Sequence, residues 1–337
     1  MSIHNFNLDI ERTFDMAANA NLHKAKDAKN DEFYTQLTDV SKELMHYKQH
    51  FKDKIVLCNC DDPTWSAFWK YFHLNFEALG LKKLISTHYD KNEPTYKMEY
   101  TGGNDNDIEV GVKTPFDGNG DFRSQECLDV LDEADIVVTN PPFSLFREYV
   151  AVLMEHNKKF LIIGNMNALT YKEIFPLIRD NKLWYGASIH SGDRKFYVPD
   201  NYPLEAAGCG VDEDGKRYIR VKGVRWYTNM DYSARHEALK LWKTYNDSDF
   251  PKYENYDAIN INKYSEIPVD YNDIMGVPIT ILDFYCPEQF DILGISASWD
   301  ETDIMKQLKL SEINRHNPII NGKEIYRRIF IRKKAGA

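Results

Sequence analysis

Apolar residues recur at helical spacing between Leu37 and Phe51. Leu37, Val40, Leu44 and Tyr47 share one face, and this predicts a helix. The pattern then changes. Lys54-Ile55-Val56-Leu57-Cys58 reads as a short buried strand. Thr64 to Leu79 returns to helical spacing and stops at Gly80, a residue suited to ending a helix. Lys83-Leu84-Ile85-Ser86 predicts a second strand, and residues 101–107 a turn-rich loop at a hairpin tip. Asp135-Ile136-Val137-Val138 predicts a strand that runs directly into Asn140-Pro141-Pro142-Phe143. Leu145, Tyr149 and Val152 predict the helix that follows, and Lys159 to Ile163 another buried strand. Strands alternating with helical segments predict crossover units and a mainly parallel sheet, an α/β fold. The alternation fades after about residue 185, where Gly, Pro, Tyr and Asn dominate. Residues 1–30 are polar and read as an N-terminal extension. The expected organisation is therefore an extension over 1–30, a domain over 31–185, and over 186–337 the remaining strands of that domain together with a more irregular α+β region.

Composition narrows the class. The 337 residues are 43% hydrophobic and 13% aromatic, enough for a large core and about two domains. No apolar run approaches the ~20 residues of a membrane span. The start of the chain carries Asp9, Glu11 and Arg12 without an apolar stretch, so no secretory signal is expected. Five cysteines, an odd number with no C-x-x-C pair, predict neither a disulfide framework nor a zinc site. A cytoplasmic protein without a metal is the expectation. The ten histidines show no ligand spacing, and no Walker-type or G-x-S-x-G segment occurs.

Candidate chemistry concentrates at Asn140-Pro141-Pro142-Phe143. Two prolines fix φ near about −65° and remove two backbone donors. What remains is a rigid rim of acceptors: the Asn140 side-chain oxygen and the Pro141 carbonyl. A planar exocyclic amine offers two N–H donors, and both can be satisfied there. Its lone pair is delocalised into the ring, so acceptors placed out of plane favour a more tetrahedral, more nucleophilic nitrogen. Phe143 adds a flat face on which a base can stack. The plainer reading is a strand-ending turn with a solvent-facing Asn. The apolar strand before it and the helix after it favour the chemical one.

Asp135-Ile-Val-Val-Thr-Asn-Pro-Pro-Phe143 resembles motif IV of the amino methyltransferases. Further segments run in the same order as in the EcoRI-type adenine-specific DNA methyltransferases, which the chain resembles from about residue 21 to about residue 331. They are Asn21-Leu-His-Lys-Ala-Lys26, Asp31-Glu-Phe-Tyr-Thr-Gln36, Asn59-Cys-Asp-Asp-Pro63, Gly120-Asp-Phe-Arg-Ser124, Phe143-Ser-Leu-Phe-Arg-Glu-Tyr149 and Met275-Gly-Val-Pro-Ile-Thr280. The resemblance implies a Rossmann-like methyltransferase sheet holding S-adenosylmethionine at the carboxyl ends of its strands. It assigns Tyr34 and Thr35 to motif X. It assigns Asn59, Asp61, Asp62 and Pro63 to motif I, with Asp62 favoured over Asp61. This loop continues Thr64-Trp65-Ser66 where the family usually has glycines, which leaves its detailed contacts open. Asp90 is the nearest candidate for the ribose-binding acid of motif II, with Tyr89 and Glu93 close by. Asp121 and Phe122 match motif III.

The implied reaction is methyl transfer to adenine N6 in double-stranded DNA at a GAATTC-like site, on a base flipped out of the helix. Phe196, in Lys195-Phe-Tyr-Val-Pro199, resembles motif VIII and is a candidate second wall for the base. Target recognition is then expected within 186–337. Alternatives are the same chemistry on an RNA base or a protein Gln amide, or an inactive DNA-binding relative. A separately encoded restriction endonuclease and a monomeric enzyme fit the resemblance.

A net charge of −10 argues against a nucleic-acid partner at first sight. Its distribution does not. Residues 85–135 hold 13 acidic and 4 basic side chains, whereas 306–334 hold 9 basic and 2 acidic. Lys216, Arg217, Arg220, Lys222 and Arg225 form a run without an acid and are candidate DNA contacts. Trp226 and Tyr227 beside them are candidates for stacking.

Overall fold

A computed structural model describes residues 35–60, 62–90, 93–200, 202–204, 208–310 and 316–336. The expected extension over 1–30, Tyr34 and Asp61 lie outside the described residues. The chain divides into two compact units. One comprises the chain up to Met166 together with Ser191–Met230; the other comprises Asn167–His190 and the chain from Asp231 onward.

In the first unit, α1 (Leu37–Leu44) buries Val40 and Leu44. It is shorter than the periodicity predicts. The chain leaves the helix at Met45, and Lys48–His50 form a separate 3-10 turn. Strand β1 (Ile55–Cys58) is buried at all four positions. The helix predicted over 64–79 begins as α2 (Ala67–Leu74), where the Ser66 hydroxyl accepts from the Trp69 N–H. Asn75 interrupts it. A last turn, Phe76–Leu79, ends at Gly80, whose φ of 64° suits glycine.

Then follow β2 (Lys83–Thr87), β3 (Tyr96–Tyr100) and β4 (Val112–Pro115). Strands β3 and β4 form the expected hairpin, paired antiparallel. β4 is exposed at every position, which is why no apolar run announces it. Next come α3 (Gln125–Glu133), β5 (Ile136–Thr139), α4 (Phe146–Glu155) and β6 (Lys159–Asn165). The Ser191–Met230 stretch supplies β7 (Asp193–Tyr197), β8 (Gly210–Val211), β9 (Arg217–Lys222) and β10 (Val224–Thr228).

The main sheet of this unit has the order β4-β3-β2-β1-β5-β6-β10. Strands β2, β1, β5 and β6 run parallel, and β10 pairs antiparallel with β6. Parallel strands covered on both faces read as unbroken apolar runs, as β1 and β5 do. Each buried Val, Leu or Ile contributes about 1.5–3 kcal/mol. The alternation predicts its mainly parallel core, and the whole is the Rossmann-like arrangement that the family resemblance implies. Its parallel strands bring their carboxyl ends to one edge, where such sheets hold ligands. A second sheet, β7-β9-β8, is antiparallel.

The second unit has a small sheet of β11 (Ile259–Asn260), β12 (Met275–Pro278), β13 (Phe290–Ile295) and β14 (Arg328–Lys333), in the order β11-β12-β14-β13. Helix α5 (Asp303–Leu308) packs Met305 and Leu308 with Tyr253, Tyr256, Leu293 and Phe330. Gly294 permits that packing, since a Cβ there would lie 2.3 Å from the Met305 sulfur. Strands this short explain why the alternation fades in the sequence. No helix among the described residues is long and apolar enough to cross a membrane.

Candidate active site

The sheet edge is assembled from four loops. β5 ends at Thr139 and delivers Asn140, 7% exposed, followed by Pro141, also buried. Phe143–Leu145 form a 3-10 turn that leads into α4, and the Phe143 ring is half-buried. The acceptor rim and the flat aromatic face therefore sit on rigid backbone at the carboxyl end of the sheet.

Beside it, β1 leads directly into Asn59. The Thr139 hydroxyl donates to the Asn59 main-chain oxygen, and the Tyr149 phenol on α4 donates to the Asn59 side-chain oxygen. Asp62 follows on the same loop. Its Oδ1 accepts from the Thr64 N–H (2.8 Å), the Thr64 hydroxyl (2.6 Å) and the Tyr96 phenol (3.0 Å). Its Oδ2 lies 3.4 Å from His88 Nε2. Pro63 is buried behind it. Cys60 has φ 72°, a left-handed conformation that costs a residue with a Cβ about 1–2 kcal/mol, so this loop carries local strain.

The second strand ends at the His88-Tyr89-Asp90 loop. Burial holds the His88 imidazole below its ordinary value, against the pull of Asp62 and Asp90. Asp90 Oδ1 accepts from the Glu93 N–H (3.0 Å) and shapes its own loop. The Asp90 N–H in turn donates to the Asn119 carbonyl (3.1 Å), joining this loop to the Asp121 loop. Gly120 makes the approach possible: at φ 73°, a Cβ there would lie 1.9 Å from the His88 carbonyl oxygen.

Asp121 is engaged by Arg123, whose Nε and Nη2 reach its two oxygens at 2.9 and 2.7 Å. Those hydrogen bonds hold the Asp121 carboxyl below its ordinary value. Arg123 also reaches Glu148 on α4 at 2.9 Å. The Phe122 ring is buried and packs edge-on against Tyr149 at 5.0 Å. Asn59, Asp62, Asp90, Asp121, Phe122 and Asn140 thus belong to one connected edge.

Thr35 is buried, and its hydroxyl has no partner among the described residues. The next residue, Gln36, donates through Nε2 to the Lys195 carbonyl at 3.1 Å. This ties the segment matching motif X to strand β7, which carries Phe196. Phe196 itself is 2% exposed, paired across the strands with Ile219.

The basic run divides. Lys216, Arg220 and Lys222 are exposed, although Arg220 pairs with Asp193 at 2.9 Å. Arg217 donates to the Tyr202 carbonyl at 2.6 Å. Arg225 does not fit the expected DNA contact. It lies within a strand buried at all five positions and donates to the Val224 carbonyl. Trp226 and Tyr227 are likewise strand-core residues, 1% and 0% exposed, and offer no stacking face. In the second basic segment, Arg328 is buried and bonded to the Tyr326 carbonyl and Asn260.

Thr139, His88 and Tyr96 were not among the candidates read from the sequence. The available signals were a hydroxyl at the end of an apolar strand and a histidine just past the second strand. No group of three His, Cys, Asp or Glu side chains able to hold a metal occurs among the described residues.

Residues 21–334 match the family described as adenine-specific methyltransferase EcoRI. The chain is 47% identical over 332 residues to the Type II methyltransferase M.EcoRI of Escherichia coli, covering 94% of this chain and 98% of that one. It is 38% identical to M.MpnI of Mycoplasma pneumoniae and 37% identical to M.MgeORF184P of Mycoplasma genitalium. Each of these matches covers 93% of this chain and 98% of the relative. With the Asn140–Phe143 turn at the end of a parallel strand and a match over nearly its whole length, the chain belongs to the EcoRI family of adenine-specific methyltransferases.

Proposed function

We propose that this methyltransferase acts on adenine N6 in double-stranded DNA at a GAATTC-like site, using S-adenosylmethionine. The observation that carries the reading is Asn140-Pro141 on rigid backbone at the carboxyl end of β5, tied to the end of β1. S-adenosylmethionine supplies an electrophilic methyl group. The residues present suit such a donor: the Asp62 carboxylate for an ammonium, the buried Phe122 ring for an adenine, and the Thr35 hydroxyl, buried without a partner among the described residues. Tyr34, Asn59, Asp61, Pro63, Asp90 and Asp121 complete the proposed donor set.

Asn140 Oδ1 and the Pro141 carbonyl accept the two N–H groups of the target amine and draw its lone pair out of conjugation. Pro142 stiffens the rim. With the donor bound there, N6 would take up its methyl group as the thioether departs, and the proton shed by the amine would pass to water. Phe143 stacks on the extruded base and offsets part of the few kcal/mol that flipping costs; Phe196, only 2% exposed, offers a base no second wall. No covalent enzyme intermediate is required. Lys216, Arg217, Arg220 and Lys222 are proposed DNA contacts, and residues 186–337 the region that reads the sequence. A cytoplasmic monomer with a separately encoded endonuclease completes the reading.

Asn140→Ala tests the assignment. It should lower methyl transfer by more than about 100-fold, the loss typical for one electrostatic donor or acceptor in an active site. Donor affinity, read by calorimetry, should stay within about threefold, because the acceptor acts on the amine rather than the donor. Turnover retained in the variant would refute the role.

A further inference from the structure

Asn59 is held twice, and both bonds come from the elements that flank the catalytic turn. Its main-chain oxygen accepts from Thr139, the residue before Asn140. Its side-chain oxygen accepts from Tyr149, on the helix the turn opens into. All three are buried, with exposures of 7% for Asn59, 0% for Thr139 and 1% for Tyr149. The strand ladder does not provide this connection. Pairing of β1 with β5 covers Val56 with Ile136 and Leu57 with Val137. Beyond it the two strand ends are joined through side chains. With its oxygen committed to Tyr149, the Asn59 amide must turn its NH2 elsewhere, so its orientation is fixed as well. Burial raises the Tyr149 phenol far above its ordinary value and keeps it a donor.

We infer that Tyr149 and Thr139 are positioning residues for methyl transfer: through Asn59 they hold the Asn59–Pro63 donor loop in register with the Asn140–Phe143 turn. The inference rests on the role proposed above for that turn. In-line transfer is sensitive to such register, since a misplacement of about 1 Å costs about 100-fold in rate. A shift of one loop against the other lengthens the distance from N6 to the methyl group while each ligand keeps its own contacts.

The test is single-turnover transfer to a duplex carrying GAATTC, with donor affinity measured by calorimetry on the full chain. Tyr149→Phe keeps the ring that packs on Phe122 and removes only the O–H. It should slow the transfer step about tenfold or more while changing donor affinity less than about threefold. Thr139→Val, nearly isosteric, should do the same, and Thr139→Ser, which keeps the hydroxyl, should stay within about threefold of the unaltered enzyme. The double variant should be little slower than the worse single one, because both bonds act through Asn59. Transfer in Tyr149→Phe within about twofold of the unaltered enzyme would overturn the inference. So would Thr139→Ser as slow as Thr139→Val. If Thr139→Val does not fold, Tyr149→Phe decides alone. Asn140→Ala runs in parallel: retained transfer there sinks the catalytic assignment. Lost transfer there, with unimpaired positioning variants, sinks only the present inference.

Discussion

His88 shows how one side chain at this edge couples the fold to pH. Its imidazole lies against Asp62 and Tyr96, and burial outweighs the two nearby carboxylates in holding its affinity for protons below normal. The folded protein therefore takes up this proton at lower pH than the unfolded chain. Stability from the neutral ring is present above about pH 6.5, the ordinary histidine value, and is lost as pH falls through the lowered folded value. Thermal unfolding of the wild type should weaken more steeply between pH 7 and pH 5 than that of His88→Gln. Parallel curves would contradict this. Nothing in the sequence marked His88. Its significance comes from a loop 26 residues away by number from Asp62 and from Gly120, whose missing side chain lets the third loop approach. Asn140 was legible because its chemistry is local: the prolines and the strand that define it are its neighbours. Asn59 was legible only through family resemblance, since its partners Thr139 and Tyr149 lie 80 and 90 residues away.

At the scale of elements, the parallel strands were legible because burial on both faces leaves a continuous apolar run. Exposed β4 was not, and the predicted helices came out shorter where Met45 and Asn75 turn the chain. Strand β9 shows what a count of charges misses. Its alternation sends Ile219 and Val221 inward and Arg220 and Lys222 outward, whereas the next strand, β10, buries Arg225. A run of five cations thus contains three exposed ones, Lys216, Arg220 and Lys222. For DNA binding, Lys216→Ala and Lys222→Ala should each weaken affinity and reduce the slope of log K against log salt by about 0.9. Arg225→Ala should instead lower the thermal midpoint and leave the slope unchanged. Titrations at several salt concentrations decide it. An unchanged slope for both lysine variants would remove this strand from the DNA surface.

For the whole molecule, the net charge of −10 is compatible with a DNA substrate because the acidity is local. Residues 85–135, with 13 acidic and 4 basic side chains, include the β3–β4 hairpin and α3. The return of sheet strands from beyond residue 186 was expected, but the boundaries were not: the first unit takes β10 to complete its sheet while Asn167–His190 fall in the second unit, and no composition shift marks either point. Methyl transfer to adenine N6 in DNA is the proposed reaction on which the residue roles above depend. It is tested most directly by incubating the protein with an unmethylated GAATTC duplex and methyl-labelled S-adenosylmethionine, then digesting the DNA and separating its nucleosides. Label is expected in N6-methyl-2′-deoxyadenosine, and none when the site is scrambled. Label in N4-methylcytosine, or label reaching only RNA or protein, would contradict it.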